Sequence, residues 1–248
     1  MDIGGREIGF GCDTYIIAEA GINHNGEYDL AKKFVDIAVN AGADAVKFQT
    51  FKYAEVAFKN LTYEQYEKLK LYCDFKGITF LSTPHSISAI DFLDSIVPAF
   101  KIASPHINHK YFLKKIMRKN KPLIISTGSL TNKNKRASDQ EIYQMFQYIN
   151  NYKDIALLYC ISKYPCYNFD VDEFISFRER YSRYPVGISC HSPEIEFSLT
   201  AVEAGACIVE KHITFDKDFD CPDKESSITP EVLTEMIEKI REFERDAI

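Results

Sequence analysis

The chain has 248 residues, of which 46% are hydrophobic, and a formal net charge of −6 at pH 7. This length suits one α/β domain with one core, and the acidic balance argues against a broad basic face for nucleic acid. No apolar stretch approaches the ~18 residues of a membrane span, and the first residues lack the pattern of a signal peptide, so we expect a cytoplasmic protein that binds neither nucleic acid nor membrane.

Eight short β-branched runs each end in polar residues, and a helix-period segment follows almost every one. The predicted strands are Thr14–Gly21, Asp44–Thr50, Thr79–Pro84, Ala99–Pro105, Pro122–Gly128, Ile155–Ser162, Pro185–Ser192 and Cys207–Thr214. The predicted helices are Asp29–Ala41, Thr62–Lys76, Ser86–Asp94, Lys110–Lys119, Ser138–Asn150, Val171–Ser182, Pro193–Ala204 and Pro230–Asp246. Strands that alternate with helices need right-handed crossovers, and eight such units predict an α/β fold, a (β/α)8 TIM barrel that fills residues 1–248 as one domain.

Two further local patterns refine this prediction. A short N-terminal β-hairpin, Asp2–Ile3 with Glu7–Phe10, lies within residues 1–13 and is expected to plug the bottom of the barrel. Thr62, with Gln65 three residues later, is a predicted helix N-cap. Its hydroxyl can accept the Gln65 backbone N–H, and the Gln65 side chain can accept the Thr62 backbone N–H.

Two histidines and a glutamate lie near the ends of the last two predicted strands. Side chains alternate faces along a strand, so Glu210 and His212 share one face, and Ser189 and His191 share one face. His191 and His212 therefore come from neighbouring strand ends at the same level, a predicted pair of imidazole ligands for a divalent metal. The alternative for each is an ordinary hydrogen-bonded barrel histidine.

Two lysines lie inside apolar strand runs, Lys47 with Gln49 on its face and Lys101 between Phe100 and Ile102. A buried ammonium group is costly unless an anion compensates it, so both predict a phosphate or carboxylate ligand at the barrel mouth. Hydroxyl donors that suit phosphate oxygens follow neighbouring strands, at Thr83, Ser104, Ser126 and Thr127. The alternative is a structural ion network in which the lysines pair with Glu19 or Glu210.

Two further acidic residues are candidates for the site, one at a strand end and one in a loop. Glu19 opens the run EAGINHNG, where an acid can orient substrate or carry a proton, and where Asn23, His24 and Asn25 can equally cap the loop into the first helix. Asp223 lies in the irregular acidic segment Phe215–Ser227 after the last strand, and such loops commonly carry functional residues.

Taken together, these motifs resemble those of the sialic acid synthase (N-acetylneuraminate synthase) family, which condenses phosphoenolpyruvate with N-acetylmannosamine or a related amino-sugar aldehyde. The matching motifs span essentially the whole chain: IIAEAGINHNG (16–26), AGADAVKFQTF (41–51), FLSTP (80–84), PAFKIAS (98–104), PLIISTG (122–128), YP (164–165), VGISCH (186–191), EKHIT (210–214) and PD (222–223).

The resemblance implies metal-dependent formation of a nine-carbon 2-keto sugar acid with release of phosphate. It implies that His191 and His212 hold Mn²⁺ or Mg²⁺. The residues it places around phosphoenolpyruvate are Lys47, Thr83, Lys101, Ser104, Ser126 and Ser189, and those it places toward the sugar are Glu19, Gln49, Tyr164 and Asp223. Glu19 or Asp223 would activate the attacking water or protonate the new alkoxide, and with Glu210 they are the predicted catalytic carboxylates.

Three positions depart from the family's common pattern, each beside a predicted ligand. Cys190 replaces the usual Asp before His191, Pro105-His106 follows Ser104 in place of Gly and an acid, and Ser162 replaces an Asn. These changes are expected to retune substrate choice or weaken turnover, and His106 would offer a third imidazole near the phosphate.

The family's small C-terminal antifreeze-like domain has no counterpart in this sequence. We therefore expect a second copy of this chain, as a homodimer, or a partner chain to supply the lid over the sugar. Two alternatives to the synthase stay open: a catalytically degenerate barrel that binds a sugar acid or a partner, and another phosphoenolpyruvate-dependent keto-acid synthase. The latter would need a basic pocket for the acceptor's phosphate.

Overall fold

The structure, a computed structural model, describes residues 1–51, 59–149 and 152–246. Its main sheet has eight parallel strands: β3 (Tyr15–Gly21), β4 (Ala45–Thr50), β5 (Thr79–Pro84), β6 (Phe100–Ile102), β7 (Leu123–Ser126), β8 (Ile155–Cys160), β9 (Val186–Cys190) and β10 (Ile208–His212). The helices are α1 (Tyr28–Asn40), α2 (Tyr63–Lys76), α3 (Ile87–Leu93), α4 (Lys110–Met117), α5 (Asp139–Tyr148), α6 (Val171–Arg180), α7 (Glu196–Glu203) and α8 (Pro230–Asp246).

The strands follow one another around a barrel. Hydrogen-bonded neighbours run β5, β4, β3, β10, β9, β8, β7 and β6, and the two end strands, β5 and β6, lie side by side at the remaining seam. Each strand is followed by its helix on the outside. The predicted (β/α)8 TIM barrel is therefore confirmed.

The N-terminal hairpin is shorter than predicted. Strand β1 (Asp2–Ile3) pairs with β2 (Arg6–Glu7), so the prediction that the second strand reaches Phe10 is wrong. A turn closed by the Cys12 N–H on the Gly9 carbonyl (3.2 Å) leads the chain away and leaves Phe10 exposed. The buried Ile3 and Ile8 join the apolar cluster inside the barrel, so the hairpin does close the barrel bottom.

Most strands and helices end one to three residues inside their predicted bounds. The predicted fourth strand, for example, ends at Ile102, and a 3₁₀ turn over Ser104–His106 follows it. Thr62 and Gln65 form both hydrogen bonds of the predicted capping box. The predicted end of the fifth helix, Asn150, lies outside the described residues. Over the described residues, no helix is long and apolar enough to cross a bilayer.

Alternation along the strands separates an apolar floor from a polar mouth. In β10, Ile208 belongs to the cluster inside the barrel bottom, whereas Glu210 and His212 point into the barrel nearer its mouth. Val209, between Ile208 and Glu210, packs in the larger cluster between sheet and helices. The fold thus places the polar ends of the strands together above a closed hydrophobic base.

Candidate functional site

A cavity of about 370 Å³ opens at the C-terminal ends of the strands. Thirteen of the fourteen residues predicted at the site line it: Glu19, Lys47, Gln49, Thr83, Lys101, Ser104, Ser126, Tyr164, Ser189, His191, Glu210, His212 and Asp223. The exception is Thr127, whose hydroxyl donates to the Leu158 carbonyl (2.9 Å). Pro105 and Ser162, two of the departures noted beside predicted ligands, line it as well. Sequence reasoning had missed five further lining residues: Ile22, His85, Ala103, Lys133 and Cys160. The barrel therefore brings the predicted residues into one space.

Two buried lysines and two buried glutamates form a charged network in this cavity. The Lys47 Nζ atom lies 2.7 Å from Glu19 Oε2 and 3.6 Å from Glu210 Oε2, and Lys101 Nζ lies 3.4 Å from Glu210 Oε1. The ion network considered as the alternative is thus present. Lys101 also donates to the Ser126 hydroxyl (2.7 Å), which faces the same cavity.

The two glutamates differ in their titration. Burial raises the pKa of Glu19 to about 7, and the attraction of Lys47 offsets only part of this effect. Burial also disfavours the Glu210 carboxylate, but Lys101 and Lys47 outweigh it and lower the pKa of Glu210 to about 2. Near neutral pH, Glu210 therefore keeps its charge beside the lysines, while Glu19 can exchange a proton.

The two predicted metal-binding histidines lie together on the other side of the cavity. Their ring centroids are 5.5 Å apart, and Tyr164 stacks on His191 at 3.8 Å. Burial lowers the pKa of both His191 and His212 to about 3, with a smaller contribution from His212 in the first case and from Lys47 in the second. Both rings are therefore neutral at physiological pH, the form in which a histidine binds a metal.

Each of these two rings has a nitrogen without a hydrogen-bond partner among the described residues, which suits a metal held by two imidazoles. His191 Nδ1 lies 2.7 Å from the Ile161 carbonyl, which fixes its proton there and leaves Nε2 with a free lone pair. His212 Nδ1 has no hydrogen-bond partner in the described chain, and lies 3.5 Å from Asp223 Oδ2. Across the described residues, no group of three His, Cys, Asp or Glu side chains is arranged to hold a metal ion. Further ligands would have to be water or substrate oxygens.

Three polar side chains converge around Gly21. A Cβ atom built on this glycine would lie 3.3 Å from Asp223 Oδ2, 3.3 Å from Gln49 Nε2 and 3.4 Å from Glu19 Oε1. The Gly21 backbone, at φ +54°, also takes a conformation that disfavours other residues. This position therefore keeps open the part of the cavity that faces the predicted sugar-binding residues.

Asn23, left as a loop cap by the sequence, fixes the loop that carries Asp223. Its buried side chain donates to the Ile213 carbonyl (2.9 Å) and the Ser227 hydroxyl (3.1 Å), and accepts from the Asp223 N–H (2.9 Å). Asn25 donates to the Asp220 carbonyl in the same loop (2.8 Å). The sequence signal was the Asn-His-Asn run, but its partners are about 200 residues away and could not be identified.

A set of hydroxyls lines the lysine side of the cavity. Lys47 donates to Thr83 (3.1 Å), and the Gly128 N–H donates to the Ser104 hydroxyl (2.9 Å). A Cβ atom on Gly128 would lie 2.7 Å from Ser104 Oγ and 2.0 Å from Ser162 Oγ. Gly128 is therefore needed for close approach of these hydroxyls.

Two of the sequence departures can now be located. Cys190 points out of the barrel, 3.6 Å from the buried Lys211 Nζ, which also donates to the carbonyls of Ser192 and Glu194. His106 stacks on Phe112 at 4.3 Å and is not among the cavity-lining residues. The expectation that His106 offers the third imidazole is wrong, because the 3₁₀ turn directs it toward α4.

Comparison with known proteins agrees with this fold. Residues 56–247 match the NeuB family model. A protein of Methanocaldococcus jannaschii is 37% identical over 99% of this chain and 75% of its own length, and the N,N'-diacetyllegionaminic acid synthase of Campylobacter jejuni is 34% identical over 94% and 77%. The structure of N-acetylneuraminic acid (sialic acid) synthetase from Leptospira borgpetersenii superimposes with a TM-score of 0.92 at 30% identity, covering 100% of this chain and 89% of that one. The chain belongs to the NeuB family, whose named relatives include sialic acid and legionaminic acid synthases.

Proposed function

We propose that this protein condenses phosphoenolpyruvate with N-acetylmannosamine or a related amino-sugar aldehyde, giving a nine-carbon 2-keto sugar acid and phosphate. The observation that carries the proposal is one cavity with two buried lysines on one side and two neutral imidazoles on the other. The first pair suits an anionic substrate, and the second suits a divalent cation. The names of the relatives supply the product class.

The lysine side would hold the enol phosphate. Lys47 and Lys101 supply positive charge, and Ser126, already within 2.7 Å of Lys101, supplies a hydroxyl donor for the phosphate or carboxylate oxygens. Glu210 stays ionised between the lysines, and its charge favours the protonated form of both against the effect of burial. Phosphoenolpyruvate would displace part of this ion network by offering the lysines stronger anionic partners.

The opposite side would hold the aldehyde. His191 and His212 would bind Mn²⁺ or Mg²⁺, which when present supplies a positive charge that polarises the aldehyde oxygen. C3 of the enol phosphate then forms the new carbon–carbon bond, water adds at C2, and the bond between C2 and the phosphate oxygen breaks. Glu19 and Asp223, which meet at Gly21, supply the two proton transfers that this sequence needs: one from the water and one to the new hydroxyl oxygen.

Phosphate release tests the proposal and separates it from the alternatives. The full chain is incubated with Mn²⁺, phosphoenolpyruvate and, in separate reactions, N-acetylmannosamine, a diacetamido-hexose, a pentose phosphate or a tetrose phosphate. We expect phosphate release only with the amino sugars, and a nine-carbon keto acid by mass spectrometry. Release only with a sugar phosphate would indicate another keto-acid synthase.

Ligand stabilisation identifies the remaining alternative. Phosphoenolpyruvate should raise the Tm of the protein, and Lys101→Met should remove most of that increase, whereas Lys153→Met, at an exposed position, should not. Stabilisation without turnover of any acceptor would indicate a barrel that binds ligand only. No stabilisation at saturating phosphoenolpyruvate, with metal present, would refute the anion site.

A further inference from the structure

A cluster of histidines lies beside the lysine side of the cavity. The rings of His85 and His106 are 5.6 Å apart, and those of His106 and His109 are 6.4 Å apart. His106 packs on Phe112, and His109 Nδ1 accepts the Phe112 N–H at the start of α4. Of these three histidines, His85 is the one that lines the cavity.

The position of the His85 ring is fixed by its neighbours. His85 directly follows β5, and its N–H donates to the Thr50 carbonyl at 2.9 Å. Its ring stacks on Phe51 with centroids 4.2 Å apart and an angle of 3° between the planes, and His106 contacts it from another side. These contacts hold the ring in place without using its Nε2 atom.

The Nε2 atom of His85 has no protein partner. It is buried, and within the described chain no hydrogen-bonding group reaches it. A buried polar nitrogen without a partner costs free energy, and each such atom in a folded protein calls for an explanation. Because His85 also lines the cavity, a ligand bound there is a group that can supply the missing partner.

The charges around His85 identify the kind of partner. Burial, together with His106, Lys47 and Lys101, lowers the pKa of His85 to about 3, so the ring is neutral at physiological pH. A neutral imidazole carries one N–H and can donate a hydrogen bond from Nε2. Beside two ammonium groups, the ligand group that binds best is an anion, which accepts hydrogen bonds.

We propose that His85 is a further substrate-binding residue, whose Nε2–H donates a hydrogen bond to a phosphate or carboxylate oxygen of the enol phosphate held by Lys47 and Lys101. This inference rests on the proposed function for the identity of the ligand. It adds a neutral donor from the end of β5 to the charged donors from β4 and β6, so that three adjacent strands bind one anion.

Binding measurements on matched variants test this role. His85→Phe keeps the ring stacked on Phe51 and removes Nε2, His85→Gln returns an N–H donor, and His106→Phe is the control in the same cluster. The dissociation constants of phosphoenolpyruvate, with Mn²⁺ present, and of inorganic phosphate are measured by calorimetry, and Tm reports the fold. We expect His85→Phe to weaken binding about tenfold or more, since a hydrogen bond to a charged group is lost. His85→Gln should recover part of the affinity, and His106→Phe should bind like the wild type.

The possible results separate this inference from the proposed function. Wild-type affinity in His85→Phe, or equal losses in His85→Phe and His106→Phe, would overturn the role of Nε2 while leaving the proposed function standing. If the wild type binds phosphate but not phosphoenolpyruvate, the proposed function fails. The role of His85 is then still decided by comparing the phosphate affinity of His85→Phe with that of the wild type. If His85→Phe does not fold, His85→Leu is compared in the same way.

Discussion

Replacing Asn23 with leucine is expected to loosen the loop that carries Asp223. The substitution keeps the buried side chain's approximate shape and removes three hydrogen bonds, to Ile213, Ser227 and Asp223. Each bond contributes about 1 kcal/mol net, so the free energy of unfolding should fall by roughly 3 kcal/mol. With a denaturant slope of about 3 kcal/mol per molar, the urea midpoint should fall by roughly 1 M.

Asn25→Gly is the matched control. Asn25 has a φ of +52°, which glycine adopts readily, and its hydrogen bond to Asp220 in the same loop is exposed. Loss of this exposed hydrogen bond should lower the free energy of unfolding by less than about 1 kcal/mol. We also expect Asn23→Leu to lower kcat/KM for the acceptor, because Asp223 is displaced, while phosphoenolpyruvate affinity stays unchanged. An unfolding midpoint for Asn23→Leu equal to that of Asn25→Gly would refute the argument that Asn23 holds the loop.

Three other perturbations have defined outcomes. His191→Ala and His212→Ala should each abolish tight Mn²⁺ binding with little change in Tm, and one bound Mn²⁺ per chain in the double variant, measured by elemental analysis, would contradict the metal site. Gly128→Ala should weaken phosphoenolpyruvate binding about tenfold or more, because the new methyl group occupies space taken by two serine hydroxyls. In the control Gly77→Ala, the methyl group has free space but the φ is +75°. This variant should lower the free energy of unfolding by about 1–2 kcal/mol and leave the phosphoenolpyruvate affinity unchanged. In the folded chain the pKa of Glu244 is lowered from 4.5, because hydrogen bonds from Thr14 and the charge of Arg241 outweigh burial. The Glu244 carboxylate therefore stabilises the fold at neutral pH, and this contribution disappears as the pH falls below 4.5. Glu244→Gln should therefore lower Tm at neutral pH but not in acid, and an equal loss at both pH values would contradict this.

The sequence by itself determined the order of elements and most of the side chains that line the cavity. Strand and helix periods are local properties, so eight strand–helix units predicted the barrel without any knowledge of long-range contacts. Alternation within a strand placed Glu210 and His212 inside and Lys211 outside, and the structure agrees. The capping box at Thr62 was equally local, because its partner is three residues away.

The tertiary structure alone decided which side chains of the site contact one another. The pairing of Lys47 with both Glu19 and Glu210 depends on the registers of strands that are distant in sequence, and the resulting burial sets opposite pKa shifts in the two glutamates. His85, and not His106, is the third imidazole of the cavity. This depends on a 3₁₀ turn and on aromatic neighbours, neither of which has a periodic signal in the sequence. Local chemistry thus specifies which residues reach the barrel mouth, whereas only packing across the barrel specifies what each of them touches there.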